Sequence, residues 1–284
     1  MKIAVNCIAC GSSNLLSSAA ILMPFVAERA LGWGPVDITE DWGLNTIPAG
    51  QAMCRVNTRA CEDCGTMFLD LRFGEEEMQN LYDDYRGNDY NALRIKYEPG
   101  YLSKTGVFTE RTSWLDVTEA WIESEIGKPK TVLDWGGGSG INSCFLNDDV
   151  DLYIHDISNV DLEPGAKSYS DSQALRSFDL VTCMQVLEHV ADPLDLLHTM
   201  TGFMSTGSFL YFELPFERIM QDNIGTDERV TLKRHWHEHI NFFSERGLAE
   251  LATRAGLKVV ASRVYSPTNN RTGGEIFQFI CTGA

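Results

Sequence analysis

The chain lacks several features that would place it in other classes of protein. Its 284 residues contain no run of about 18 apolar residues, the length that a membrane-spanning helix requires. The N-terminus, Met1 to Cys7, lacks the apolar core of a secretion signal, so we expect a cytoplasmic location. Basic residues are scarce: 23 Lys and Arg stand against 40 Asp and Glu, a formal net charge of −17. No segment has the basic excess that binds a phosphate backbone, which argues against a nucleic-acid partner.

The composition otherwise allows one large α/β domain and a small extra module, because 44% of the residues are hydrophobic. Four of the eight cysteines form two identical C-x-x-C-G patterns, at Cys7 and Cys10 and at Cys61 and Cys64. Two such turns can complete a tetrahedral, structural four-cysteine zinc site. Residues 11–60 separate them, so an insertion must fold between the two pairs. Four reduced cysteines without a metal, or a redox pair, are the alternatives.

A glycine-rich stretch follows a short apolar run at Thr131 to Gly140. The pattern predicts a strand, a tight turn and the start of a helix. Glycine lets the backbone turn sharply and approach a ligand closely, so the stretch is typical of a loop that holds a nucleotide-like cofactor. The candidate cofactor-binding residues here are Asp134, Gly136, Gly138 and Gly140. The alternative is a glycine-rich surface loop.

Two further strand ends carry candidate site residues. Asp156 follows an apolar run, and an acid about 20 residues beyond such a loop can hold both ribose hydroxyls of a nucleoside. Otherwise it caps a turn. Phe178 to Cys183 predicts another strand, after which Met184 and Gln185 would line the cofactor site. Glu188 and His189 lie in the turn that follows, where His189 contacts substrate or shapes the turn.

The motifs together resemble class I S-adenosylmethionine-dependent methyltransferases. The match covers the D-x-G-x-G-x-G loop from Asp134, the acid at Asp156 and the FDLV…LEHV-x-DP segment from Phe178 to Pro193. The resemblance implies S-adenosylmethionine as the cofactor, with the glycines beneath its methionine part, the first acid anchoring the loop and the second on the ribose. It also implies a Rossmann-like seven-stranded α/β sheet.

A cluster of three histidines lies between the fifth predicted strand and the next helix, at His235, His237 and His239. We call Lys233 to Ser244 the histidine segment. Alternate residues of an extended chain point the same way, so three imidazoles on one side could bind a metal or supply a base near neutral pH. A hydrogen-bonded structural turn is the other interpretation.

The histidine segment is similar to the Y-H-E-H…F-S segment of a narrower group, the sugar C-methyltransferases with an N-terminal zinc module. His237, Glu238, His239, Phe243 and Ser244 match it, while Trp236 stands where that group has tyrosine. In that group the tyrosine and the second histidine are candidate bases, and the second histidine corresponds to His239. The group also carries a further C-terminal domain that the present 284 residues do not include.

These observations predict three regions: a zinc-binding module with an insertion at 1–73, a helical connector or lid at 74–126, and the methyltransferase domain at 127–284. Helices are expected at residues 75–85, 107–126 and 244–255. The third strand of the sheet should lie near residues 166–170, and an antiparallel pair, Leu257 to Tyr265 and Glu275 to Cys281, should close it.

The expected function is methyl transfer from S-adenosylmethionine to a small molecule, such as an activated, nucleotide-linked sugar or a related metabolite. His239, His189 and His237 are the candidate catalytic residues, since a histidine can take a proton from the acceptor. Lys233 and Arg234 could hold an anionic tail. A zinc-ribbon RNA base methyltransferase and a non-catalytic, cofactor-binding partner subunit are the alternatives.

Overall fold

The computed structural model describes residues 1–42, 49–102, 110–147, 149–158, 160–170, 177–223, 228–267 and 274–283. Within these ranges no helix combines the length and the apolar character that crossing a bilayer needs. The strands form two main sheets, of seven and five strands, and two small two-stranded sheets. The helices are α1 (Pro24–Leu31), α2 (Glu75–Tyr82), α3 (Asn88–Tyr97), α4 (Leu115–Ile126), α5 (Pro193–Thr201), α6 (Arg218–Asp222), α7 (Glu228–Leu232) and α8 (Glu245–Arg254).

The seven-stranded sheet confirms the predicted Rossmann-like α/β fold. Its order is β10-β9-β8-β11-β12-β16-β15. The first five strands of this order are mutually parallel, whereas β16 is antiparallel to both of its neighbours. The strands are β8 (Thr131–Trp135), β9 (Asp151–His155), β10 (Ala166–Ser168), β11 (Leu180–Met184), β12 (Phe209–Phe216), β15 (Leu257–Tyr265) and β16 (Glu275–Gly283). The weakly marked third strand and the closing antiparallel pair lie where the sequence predicts them.

The strand order locates the place where a ligand would bind. The chain starts the sheet at β8, extends it through β9 and β10 on one side, and then returns to add β11 and β12 on the other. In such sheets the crevice lies outside the carboxyl ends of the strands on either side of this reversal, here between β8 and β11. Both strands are almost wholly buried, which is why they appear in the sequence as short apolar runs.

The helix predicted to begin after the glycines is wrong. The described residues 136–147 form turns only. Phe145 and Asn147 have φ angles of +64° and +68°, the left-handed conformation that interrupts a right-handed helix. Backbone N–H groups therefore face the cofactor region from a series of turns rather than from a helix terminus.

The five-stranded sheet combines three strands from the N-terminal region with two strands from the histidine segment. Its order is β13-β2-β5-β6-β14, with β2 (Leu15–Leu22), β5 (Arg55–Cys61) and β6 (Met67–Leu69) from the N-terminal region. Its two outer strands, β13 (His235–Trp236) and β14 (Asn241–Phe242), belong to the histidine segment. The segment is thus built into the sheet of the N-terminal module. The remaining strands are β1 (Lys2–Ile3) with β7 (Leu71–Arg72), and β3 (Val36–Ile38) with β4 (Gly50–Ala52).

Buried polar contacts hold the histidine segment on this sheet. The indole N–H of Trp236 donates to Thr58 Oγ1 at 2.8 Å, and the Thr58 hydroxyl donates to the carbonyl of Lys233 at 2.7 Å. The side chains of Trp236 and Thr58 are both fully buried. The Arg72 guanidinium, also buried, donates to the carbonyls of Val190 and Ala191 in the turn after β11. These bonds fix the N-terminal module against the larger sheet.

Two of the three predicted helices are shorter than expected, and the third has nearly the predicted bounds. The helix expected over 75–85 ends at Tyr82. That expected over 107–126 begins at Leu115 in the described part, with residues 103–109 outside it. The helix expected over 244–255 is α8: the hydroxyl of Ser244 accepts from the N–H of Gly247 at 2.9 Å, and Gly256, at φ +72°, follows its end.

Candidate active site

Five parallel strands end at one edge of the seven-stranded sheet, and four of them are followed by a polar or glycine-rich turn that carries a candidate site residue. The glycine loop follows β8, Asp156 follows β9, Gln185 follows β11 and Glu217 follows β12. Because parallel strands have their carboxyl ends on the same side, the topology gathers these residues around the crevice between β8 and β11.

The glycine loop has the backbone conformation that only glycine adopts without strain. Gly136, Gly138 and Gly140 have φ angles of +79°, +57° and +87°. A Cβ atom on Gly136 would lie 2.6 Å from Cγ2 of Val186, whereas one on Gly138 would meet no atom within 4 Å. The first glycine therefore permits close packing of the loop on the turn after β11. The second leaves open space beside the backbone, as a loop that receives a ligand requires.

Asp134 anchors this loop from inside. Its carboxylate is buried and accepts hydrogen bonds from the hydroxyls of Ser143 at 2.5 Å and Thr182 at 2.6 Å. Burial raises its pKa to about 6, although the two hydroxyl donors act in the opposite direction. The side chain ties the turns after the glycines to the neighbouring strand β11. It shapes the loop from beneath.

Asp156 also contacts the loop. Its Oδ2 accepts the N–H of Gly138 at 2.7 Å, and its Oδ1 accepts the N–H and the hydroxyl of Ser158 at 2.7 and 2.5 Å. A carboxylate offers about four acceptor positions, so one position on Oδ2 is left by these three bonds. The side chain therefore caps its own turn and still lies beside the open space at Gly138.

Met184 and Gln185 end strand β11 at the same edge. Gln185 has a left-handed φ of +57°, which is unusual for this residue. Its N–H donates to the carbonyl of Glu213 at 2.8 Å and its amide donates to the Glu213 carboxylate at 3.1 Å. The sulfur of Met184 lies 3.6 Å from that of Cys144. Both residues are partly exposed at the crevice, with Gln185 held in its strained conformation by β12.

His189 and His239 face each other next to the buried Glu188. The two imidazole rings are perpendicular, with centroids 4.6 Å apart. Nε2 of His189 lies 3.8 Å from a Glu188 oxygen, and burial raises the pKa of Glu188 to about 7. Nδ1 of His189 lies 3.0 Å from the carbonyl of Glu238 and 2.9 Å from the hydroxyl of Tyr82. Burial lowers the pKa of His189 to about 3, so this imidazole is neutral.

His239 is held by a second carboxylate. Its Nδ1 lies 2.6 Å from Oε1 of Glu217, which follows strand β12. Burial disfavours the charged imidazole, but the hydrogen bond to Glu217 and the nearby Glu188 outweigh it and raise the pKa of His239. Because Nδ1–H donates to the carboxylate, Nε2 is left with its lone pair. This is the arrangement of a histidine that can accept a proton.

The expectation that the three histidines point to one side is wrong. His235 is an exposed residue of β13, and the chain bends at Glu238, so the strand alternation does not continue. Nε2 of His237 lies 2.6 Å from Oε1 of Glu98 and 2.9 Å from Arg94, away from the pair of His189 and His239. The described residues bring His239 together with His189 from the turn after β11, not with its neighbours in sequence.

The four cysteines of the two C-x-x-C-G turns do come together. Sγ of Cys7 lies 3.5 Å from that of Cys64, Sγ of Cys10 lies 3.6 Å from that of Cys61, and all four lie within 4.8 Å of one another. Four thiolates at about 2.3 Å from a tetrahedral zinc ion would be about 3.8 Å apart, so the cluster fits such an ion. Helix α8 packs against it, since the hydroxyl of Ser244 donates to the carbonyl of Cys64.

The sequence places Tyr82 and Arg94 in the connector or lid at 74–126 without predicting their contacts, and Glu217 was missed. Glu217 orients His239, Tyr82 of α2 contacts His189, and Arg94 of α3 forms an ion pair with Glu238 at 3.0 Å. Glu217 had a local signal, because an acid directly after a buried strand is well placed to reach the crevice. Tyr82 and Arg94 had none, because the folding of the connector onto the histidine segment brings them there.

Comparison with known proteins shows which family this chain resembles. A family model described as a methyltransferase domain matches residues 111–262. The ubiquinone biosynthesis O-methyltransferase of Pseudoalteromonas translucida is 32% identical over 102 residues, which cover 34% of this chain and 42% of that protein. The protein of the same name from Nitrosomonas europaea is 26% identical over 176 residues, covering 52% and 73%.

The chain thus spans less than half of the first of these relatives and about three quarters of the second. Among solved structures, a Burkholderia thailandensis 1,6-didemethyltoxoflavin-N1-methyltransferase with bound S-adenosylhomocysteine is similar, with a TM-score of 0.48 and 17% identity. That match covers 69% of this chain and 89% of the other.

Proposed function

Since this chain belongs to the methyltransferase domain family and is an S-adenosylmethionine-dependent methyltransferase, we propose that it methylates a hydroxyl oxygen of a small molecule. The observation that carries this proposal is the His239–Glu217 pair, which leaves Nε2 of a histidine available as a proton acceptor at the carboxyl edge of the sheet. The name of the relatives, O-methyltransferases, supports oxygen as the accepting atom.

The residues around the glycine loop fit the cofactor. Bound S-adenosylmethionine would supply a methyl group on a positively charged sulfur, which needs no further activation. The open space beside Gly138 receives the ligand, while Gly136 and Asp134 keep the loop packed on β11. Asp156 contacts the ribose through its remaining acceptor position, and holding both hydroxyls requires it to release one of its present donors. Met184 and Gln185 line the adjoining wall.

The acceptor end of the crevice lies at the two histidines. Nε2 of His239 takes the proton from the acceptor hydroxyl, and Glu217 stabilises the imidazolium that forms. His189 is fixed through Nδ1 by a carbonyl and Tyr82, so its Nε2 orients the acceptor. His237 contributes by position: its contact with Glu98 holds the bend of the histidine segment.

The charges around the site favour a small acceptor, and an activated sugar or related metabolite is the class we propose. Lys233 lies over the rings of Trp236 and Phe242, at 4.7 and 4.2 Å from their centroids, and burial lowers its pKa to about 8. A cation in this setting can pair with a single anionic group of an acceptor. The net charge of −17 opposes a long polyanion such as RNA.

The direct test measures formation of S-adenosylhomocysteine from S-adenosylmethionine with a panel of hydroxyl-bearing acceptors, nucleotide sugars included. We expect His239→Asn to lower kcat by about 100-fold or more, the contribution of a general base. His235→Asn is the matched control, because His235 is an exposed histidine of the same segment, and it should leave kcat unchanged. Equal rates for the two variants would refute the assignment of the base.

Cofactor binding is measured separately by calorimetry with S-adenosylmethionine alone. Asp156→Asn should weaken the affinity by about tenfold or more, since a hydrogen-bonded charge is lost. Asp161→Asn, which changes an exposed acid shortly after the same strand, should not alter it. Unchanged affinity in Asp156→Asn would remove the ribose role of this residue.

We also propose that Cys7, Cys10, Cys61 and Cys64 hold a structural zinc ion. The four sulfur atoms are already at near-tetrahedral separations, and each C-x-x-C-G turn ends in a glycine at φ +82° or +85°. Four protein ligands leave no open position, so this ion would stabilise the module without taking part in the reaction.

Metal analysis of the protein dialysed against metal-free buffer should find one zinc per chain. Cys61→Ser should lose it, whereas Cys54→Ser, at a cysteine outside the cluster, should keep it. A folded, zinc-free wild-type protein would contradict the assignment.

A further inference from the structure

We propose that Glu188, His189 and His239 form a second metal site, for a divalent transition-metal ion such as Zn²⁺, separate from the cysteine cluster. One ligand atom from each of the three residues lies within 4.8 Å of the other two. Two histidines and one carboxylate are a common ligand set for such ions, with room for one further ligand from solvent or substrate.

The distances suit an ion of this size. Zinc binds nitrogen and carboxylate oxygen at about 2.0–2.2 Å, so tetrahedral ligands lie about 3.4 Å apart. Oε1 of Glu188 and Nε2 of His189 are 3.8 Å apart, which a small side-chain rotation would close. The rings of His189 and His239 are perpendicular with centroids 4.6 Å apart, and one ring nitrogen of each lies within 4.8 Å of the other.

Both histidines use Nδ1 for a hydrogen bond, which leaves Nε2 of each ring available to bind a metal ion. Nδ1 of His189 lies 3.0 Å from the Glu238 carbonyl, and since a carbonyl only accepts, Nδ1 carries the hydrogen. Nδ1 of His239 likewise donates to Glu217, at 2.6 Å. Metal-binding histidines typically donate their other N–H to a carbonyl or carboxylate in this way, which fixes the ring and its tautomer. Nε2 of each ring therefore has its lone pair.

The buried carboxylate of Glu188 is a second observation, independent of the two histidines, that favours a bound metal ion. Its side chain is 1% exposed, and neither carboxylate oxygen has a hydrogen-bond partner among the described residues. Buried carboxylates are normally paired or bound to a metal, because the isolated charge is poorly solvated. A cation between Glu188 and the two imidazoles would satisfy these oxygen atoms.

The consequence for catalysis rests on the proposed function. An ion bound at Nε2 of His239 occupies the lone pair that would accept the proton of the acceptor hydroxyl. Metal binding and general-base action at His239 exclude each other, so the occupied site is inactive and the ion acts as an inhibitor.

The test titrates Zn²⁺ into protein whose cysteine cluster already holds one equivalent, without S-adenosylmethionine or acceptor. Calorimetry should show a second equivalent in the wild type. Glu188→Gln should weaken that second step by at least about 100-fold, because an anionic ligand is lost. Glu228→Gln, an exposed glutamate of α7, is the matched control and should bind two equivalents like the wild type.

A melting temperature of Glu188→Gln at or above that of the wild type would show that the variant is folded, as expected because the buried carboxylate it replaces makes no hydrogen bond among the described residues. A wild type that binds a single equivalent at micromolar zinc, or a Glu188→Gln variant that binds the second as tightly as the wild type, would overturn the site. These results do not depend on turnover, so they are independent of the methyl-transfer proposal.

Inhibition by the second zinc ion is measured separately, through kcat. With a known acceptor, the second equivalent of zinc should lower kcat by at least about 100-fold, the contribution of a general base. An unchanged kcat with two zinc ions bound would show that His239 is not the base while the ion is present. That result would overturn the inference that the bound ion inhibits the enzyme.

Discussion

Replacing Thr58 by valine would test whether a buried hydrogen-bond chain holds the histidine segment on the N-terminal sheet. The Thr58 hydroxyl accepts from the indole of Trp236 at 2.8 Å and donates to the carbonyl of Lys233 at 2.7 Å. Both side chains are fully buried. Valine has nearly the same shape as threonine, so the substitution removes the hydroxyl and leaves the packing in place.

The expected loss of stability follows from the two buried polar groups that Thr58→Val leaves without a hydrogen-bond partner. The indole N–H and the Lys233 carbonyl each lose a bond in a buried setting, at about 1–3 kcal/mol apiece. Removing the hydroxyl also removes its own cost of burial, about 1 kcal/mol. The free energy of unfolding should therefore fall by about 3 kcal/mol.

Urea denaturation followed by circular dichroism measures this change. Thr199→Val is the matched control: its hydroxyl donates to the Asp195 carbonyl on an exposed face of α5, and its loss should cost less than about 0.5 kcal/mol. Because β13 positions His235 to His239, Thr58→Val should also lower kcat, and Thr199→Val should not. If the two variants differ by less than about 0.5 kcal/mol, the chain does not dock the segment and the reasoning fails.

Three further changes test the loop, its anchor and helix α8. Gly138→Ala and Gly127→Ala both place alanine at positive φ, +57° and +78°, without a contact within 4 Å. The free energy of unfolding in urea should fall by about 1 kcal/mol for Gly138→Ala and by about 1–3 kcal/mol for Gly127→Ala, because the ψ of 171° at Gly127 lies in a region that essentially only glycine adopts. In calorimetry Gly138→Ala should weaken S-adenosylmethionine binding, whereas Gly127→Ala should not. Equal affinities of the two variants would contradict a role of the glycine loop in cofactor binding. Burial raises the pKa of Asp134 from 3.8 to about 6, so the folded state binds this proton more tightly than the unfolded chain. The unfolding free energy of the wild type should therefore fall by about 3 kcal/mol relative to Asp134→Asn as the pH rises through this range, and parallel pH profiles would contradict the burial argument. Ser244→Ala removes the cap of α8 and the bond to the Cys64 carbonyl, and should cost about 2 kcal/mol in urea; a loss below about 0.5 kcal/mol would show that the cap is replaced by solvent.

Local signals in the sequence predicted most of the larger sheet. Strands such as Leu180–Met184 are buried on both faces, so they appear as short apolar runs, and their order follows from the family resemblance. The glycines at 136, 138 and 140 were identifiable because their positive φ angles exclude most other residues. The helix expected after them was wrong because a glycine turn signals only a change of direction, whereas the left-handed conformations of Phe145 and Asn147 have no local signal.

The contacts of the histidine segment could not be predicted from the sequence. Alternation predicted three histidines on one side, but β13 and β14 pair with strands far away in sequence, and the chain bends between them. The partners of His237 are Glu98 and Arg94 from the connector, and that of His239 is Glu217 from the end of β12. None of these contacts follows from spacing.

The sequence by itself determined most strands of the larger sheet, the glycine turns, the two cysteine turns and the cap of α8, because each depends on residues within a few positions of one another. Only the tertiary structure decided which acid orients His239, and that the Glu188 carboxylate has no hydrogen-bond partner among the described residues. It also decided that the histidine segment completes the N-terminal sheet. These features depend on burial and strand pairing between residues far apart in the chain, such as Thr58 and Trp236, and no local pattern records that proximity.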